Sequence, residues 1–226
     1  NAMLVALSKQ VEGVLVAGNL TTLAAFIDSY DTALFDTMVE NYRRQIAGLL
    51  EGGADLLAAE TLLYPQDAEA ILTAAELEGA ETVMYSFTMQ PDGSFFSGMD
   101  AGKTLRELEE AGAAAVGFNC VAADMMTPGL VSKLRRFVKG PLICKPNAGN
   151  PIIDEQGLAQ YDMPPSQFVA LAQDCQRNGA TLLGGCCGTN PDYIRKTKEA
   201  LKYKLPNEII KKNHKYWKIF PNFLKH

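Results

Sequence analysis

Short apolar runs alternate with longer amphipathic stretches along most of this 226-residue chain. Six runs stand out, at residues 14–18, 56–60, 83–88, 114–120, 142–147 and 181–188. They are nearly continuous in apolar residues, the pattern of strands buried on both faces. Between them, residues 34–50 place Leu34, Met38, Ile46, Leu49 and Leu50 on one broad helical face. Residues 67–78, 103–111, 126–138, 165–177 and 191–201 behave similarly, and Pro165 and Pro191 suit first-turn positions. The pairs Gly53-Ala54, Gly79-Ala80, Gly112-Ala113 and Gly179-Ala180 close one helix each and lead into the next strand. A strand-helix unit thus recurs about every 30 residues, which predicts an α/β fold with a parallel sheet. The repeat fits a (β/α) barrel and an open doubly wound sheet equally well. Neither G-x-G-x-x-G nor G-K-[ST] follows a strand, which takes weight from nucleotide-binding folds.

The first and last segments break the pattern. Asn1-Ala2 ahead of Met3 reads as a remnant of tag removal, and residues 3–10 read as the tail of a helix leading into the first strand. Residues 202–226 carry seven lysines and one glutamate beside Tyr216, Trp217, Ile219, Phe220, Phe223 and Leu224. They read as a C-terminal basic and aromatic extension to a domain spanning 3–201. Apolar residues at 47% and charged residues at 21% are ordinary for a globular protein. A net charge of −5 argues against nucleic acid as the main partner, because phosphate binding needs a basic face. No apolar run approaches the roughly 18 residues of a membrane span.

Composition matters most through cysteine and histidine. Five cysteines in a chain too large to need disulfide staples fit a reducing, cytoplasmic setting and metal or catalytic roles. The two histidines, His214 and His226, both lie in the extension. The body of the fold therefore has no Ser-His or Cys-His pair, and a metal site there must use sulfur or oxygen. Chemistry in α/β folds gathers at strand ends. Those ends read Gly18-Asn19, Glu60-Thr61, Asn119-Cys120, Lys145-Pro146-Asn147-Ala148-Gly149 and Gly184-Gly185-Cys186-Cys187-Gly188. Cys144, mid-strand, and Cys175, inside a helix, read as small apolar filler. Cys186-Cys187 differs, because a doublet framed by three glycines is poor filler. A disulfide between adjacent cysteines would force unusual geometry. Three thiolates converging on Zn²⁺, with a fourth position open as in catalytic zinc sites, account for more.

Three segments carry a more specific signal. Ala115-Val-Gly-Phe-Asn-Cys120, Lys145-Pro-Asn-Ala-Gly-Asn-Pro151 and Leu183-Gly-Gly-Cys-Cys-Gly-Thr-Asn-Pro191 resemble the signature strands of the zinc-dependent homocysteine S-methyltransferase family. Tyr161-Asp162-Met163 and the 88–98 stretch look most like the homocysteine-binding module of cobalamin-dependent methionine synthase. The resemblance implies a TIM-type (β/α)8 barrel with zinc at its C-terminal mouth, held by Cys120, Cys186 and Cys187. It implies that the homocysteine thiol takes the open position and that Glu60 receives the substrate amino group. Asn119 and Asn147 match polar residues at the mouth that contact substrate, although either also suits a turn. The implied reaction moves a methyl group to the homocysteine thiol, forming methionine. The implied donor is methylcobalamin on a separate protein or domain, with a sulfonium or betaine as the other candidate. A free thiol with pKa about 8.5 is only about 3% thiolate at pH 7, a handicap of roughly 2 kcal/mol. Coordination to zinc removes it.

Six strands are legible where the family barrel has eight. The first two, with ends of the Asp-Gly-Gly-Met-Gly and Asn-Thr-Phe types, have no counterpart. A barrel cut to about six βα units leaves two edges, which invite pairing. A homo-oligomer, a partner chain or the 202–226 extension is expected to cover them. The competing reading is a non-catalytic zinc- or thiol-binding scaffold.

Overall fold

A computed structural model describes residues 1–23, 32–124 and 126–201. The extension at 202–226 lies outside the described residues. The elements in chain order are α1 (Ala2–Ser8), β1 (Ala17–Leu20), α2 (Thr32–Glu51), β2 (Leu56–Leu62), α3 (Pro65–Leu77) and β3 (Val83–Phe87). There follow α4 (Ala101–Glu110), β4 (Ala115–Ala122), α5 (Thr127–Arg135) and β5 (Leu142–Asn147). The described residues end with β6 (Pro151–Ile153), β7 (Ala159–Tyr161), α6 (Pro165–Arg177), β8 (Leu182–Leu183) and α7 (Pro191–Ala200).

Six strands form one parallel sheet in the order β1-β2-β3-β4-β5-β8, so spatial order follows chain order. Its strands are apolar because helices cover them. Met38, Tyr42, Ile46 and Leu49 recur at helical spacing along α2 and are buried in the core beneath the sheet, with Leu57 and Ala59 of β2. The sheet is strongly curved. Two strand intervals of roughly 4.8 Å would hold β2 and β4 more than 9 Å apart if it were flat. Their Cα atoms instead come within 8 Å of each other. This is the arc of a (β/α) barrel, and among the described residues β1 and β8 do not pair to close it.

The helix stops work as the sequence suggested. Gly112 and Gly179 adopt φ values of 105° and 109°, which favour glycine. The alanine after each then donates to the helix, Ala113 N–H to Leu108 C=O and Ala180 N–H to Cys175 C=O, both at 3.0 Å. Asp100 caps α4 and Asn190 caps α7 through bonds to the Gly102 and Asp192 amides.

Three expectations shift. The first strand begins at Ala17 rather than residue 14, because Val14 and Leu15 are exposed and Val16 is tied down by Asp55 instead. The last ladder covers Leu182–Leu183 alone, so Cys186 and Cys187 stand on the loop beyond it. The antiparallel hairpin β6-β7 was not foreseen. Its three-residue strands are mostly exposed and carry no alternation for a sequence to show. Among the described residues, no helix is long and apolar enough to cross a membrane.

Candidate metal centre

Cys120, Cys186 and Cys187 converge at the C-terminal end of the sheet. Two strand irregularities aim the groups around them. The pairing of β2 with β3 slips between Ala59 and Leu62, and that of β4 with β5 slips between Asn119 and Ala122. At these slips Thr61 and Cys120 sit at φ 57° and 58°, the only described non-glycine residues in the left-handed region. A β-branched residue there is strained, and bulges of this kind re-aim side chains beside active sites. The third wall is the loop after β8. Its amides are fixed by the Cys186 N–H to Pro146 C=O bond at 2.9 Å and the Cys187 N–H to Asn147 Oδ1 bond at 3.1 Å. Thr189 Oγ1 also donates to the Cys186 carbonyl at 2.7 Å. Gly185 is needed because a Cβ there would lie 2.5 Å from Thr189 Oγ1.

The three sulfurs lie within 4.8 Å of one another. Cys120 Sγ is 3.8 Å from Cys187 Sγ, and Cys186 Sγ is 4.0 Å from Cys187 Sγ. Sulfurs bound to one zinc at about 2.3 Å sit roughly 3.8 Å apart at tetrahedral corners, so this trio fits that ion. No other group of three or more His, Cys, Asp or Glu among the described residues could hold a metal. Cys187 is exposed and the other two are half-buried, which leaves one side open. Cys186 and Cys120 are shifted in opposite directions. Cys186 is pulled down to about 5, chiefly by a hydrogen bond from the Cys120 thiol, with the Asn119 amide and the Cys187 N–H adding to it against burial. Cys120 is pushed up by the same bond and by burial.

Asn119 is fully buried and all its hydrogen-bonding positions are taken. Its Oδ1 accepts from the Thr61 N–H and from Ser86 Oγ, both at 2.8 Å. Its Nδ2 donates to Thr61 Oγ1 at 2.7 Å and to Cys186 Sγ at 3.7 Å. Asn147 is engaged with Cys187 as above. Glu60, a quarter exposed, pairs with Lys145 and accepts from Asn19 Nδ2 at 3.2 Å. Sequence reasoning chose Glu60, Asn119, Asn147 and the three cysteines, and all six come together at the end of the sheet. Asn19, Thr61 and Lys145 stood among the strand-end residues but carried no assigned role, and Ser86, inside β3, carried no signal at all.

Fold and site define a parallel (β/α) protein with a trio of thiols at its strand ends. The chain belongs to the homocysteine S-methyltransferase family, whose profile matches residues 1–201. A curated relative, the methionine synthase of Mycobacterium leprae, is 29% identical over 166 residues, which is 71% of this chain and 14% of that protein. The Mycobacterium tuberculosis methionine synthase matches with the same identity and coverage. The chain thus spans about a seventh of these relatives. The apo form of the homocysteine methyltransferase MmuM from Escherichia coli superposes with a TM-score of 0.67 at 25% identity, covering 87% of this chain and 67% of that one. Its metallated form gives 0.65 at 25% identity, covering 87% and 65%.

Proposed function

We propose that this chain is the zinc- and homocysteine-binding unit of a methyltransferase that forms methionine, with residues 3–201 as the unit and 202–226 as its extension. The observation that carries the reading is the spacing of the three sulfurs, which suits one zinc ion with a position left for a fourth sulfur. Cys120, Cys186 and Cys187 would hold the ion, which when bound keeps a substrate thiol deprotonated and nucleophilic at neutral pH. The chain's own residues do the rest. Asn119 orients Cys186 and spreads its charge. Asn147 fixes the Cys187 backbone. Glu60 receives the substrate ammonium. The methyl group arrives on a donor supplied from outside the unit, and likeness to methionine synthases favours a methyl-corrinoid protein or domain. The reducing cytoplasm suits a site built from free thiols.

A zinc-holding scaffold without turnover is the second reading, favoured by the sheet left open at β1 and β8. A second copy, another polypeptide or the extension would cover those edges. Metal analysis of the chain purified without chelators separates the steps. About one zinc per chain is expected, and little in Cys186→Ser. Methyl transfer from a methylated corrinoid to homocysteine by the zinc-loaded chain supports the enzyme. A zinc-loaded chain that never transfers the methyl group supports the scaffold.

A further inference from the structure

The six strands of the sheet contain one acidic residue, Glu60, and one basic residue, Lys145. They pair across three strand intervals, from β2 to β5. Both side chains are partly shielded, at 25% and 30% exposure. A lone carboxylate there would be costly, so the lysine compensates it. The path of the lysine is built in. A Cβ on Gly184 would lie 3.1 Å from Lys145 Cγ, so the bare glycine leaves room for the stem. Asn19 holds the other Glu60 oxygen, so the carboxylate stays in place without the lysine.

We propose that Lys145 is the recognition residue for the carboxylate of an α-amino acid substrate, parked on Glu60 until that substrate arrives. The assignment rests on Glu60 receiving the substrate ammonium. An incoming ammonium takes the position of the Lys145 ammonium on Glu60. The displaced lysine has four rotatable bonds and no other acidic residue on the sheet to turn to. The substrate brings its own carboxylate, two atoms from its ammonium, and the exchange leaves both charge pairs made. A thiol with an amino group and no carboxylate must displace the lysine and leave it unpaired. The site therefore selects zwitterions over simple aminothiols.

The test is calorimetric binding of homocysteine and 3-aminopropane-1-thiol to the zinc-loaded chain and to Lys145→Met, with zinc content confirmed in each. In Lys145→Met, homocysteine affinity is expected to fall roughly 10- to 100-fold, the scale of a hydrogen bond to a charged group. The aminothiol should bind this variant at least as well as the parent. Lys145→Gln carries the same comparison if the methionine variant does not hold zinc. Equal losses for the two thiols, or no loss for either, in a variant that holds zinc would overturn the assignment and leave a structural ion pair. A zinc-loaded parent that binds neither thiol would instead overturn the homocysteine reading, and the assignment with it.

Discussion

Replacing Asn119 by alanine removes four hydrogen bonds at once and leaves the Thr61 N–H and the Ser86 hydroxyl without their acceptor. Each buried group left unpaired costs about 1–3 kcal/mol, so Asn119→Ala is expected to lose about 2–6 kcal/mol in urea unfolding. Zinc affinity should also fall, because Cys186 loses the amide at its sulfur. Asn119→Asp tests the division of labour. It keeps the acceptor for Thr61 and Ser86 but presents an oxygen to Cys186, so metal affinity should suffer more than the acceptor bonds do. The cysteine trio was legible in the sequence because a doublet between glycines has few other uses. Asn119 was legible as a site residue, but its pairing with Thr61 and Ser86 was not. Thr61 and Ser86 reach it across 58 and 33 residues of chain. Lys145 reaches Glu60 across 85. No local pattern encodes such a pairing, and the strain at Thr61 follows from a bulge that short-range periodicity does not record.

Among the elements, β4 and β5 depend on Gly117. A Cβ there would collide with the Ile143 backbone, which cannot rotate aside as a side chain would. Gly117→Ala should therefore cost about 3 kcal/mol or more, read as a fall in melting temperature, and should shift the strand that ends in Cys120. The entry to β1 has a pH-sensitive clasp. Asp55 is held below the usual carboxylate range by Lys9, then by the Val16 N–H, against burial. A depressed carboxylate contributes stability that is present above its unfolded value of about 3.9 and is lost as pH falls through the lowered folded value. The protection of the Val16 amide, corrected for its intrinsic exchange rate, should fall over that acidic range, and Asp55→Asn should remove the dependence. Helices and central strands were legible because their burial is periodic or continuous. The ends were not. Val14 and Leu15 are apolar but exposed, and the 181–188 run carries glycines that turn it away after two paired residues.

At the scale of the whole molecule, both ends of the sheet are open within the described residues. Light scattering on the 24.5 kDa chain is expected to give a mass above the monomer. The same mass and melting temperature after deletion of 203–226 would exclude the extension as the cover. The order β1-β2-β3-β4-β5-β8 has a further consequence, because each unit leans chiefly on the units before and after it in the chain. Such an array behaves more like a stack of repeats than like a closed ring. Among the described residues its terminal units have one neighbour apiece, so wherever no partner covers an edge it should fray from that end before it melts at the centre. Protection from exchange should climb from β1 and β8 toward a last-to-open kernel at β3 and β4.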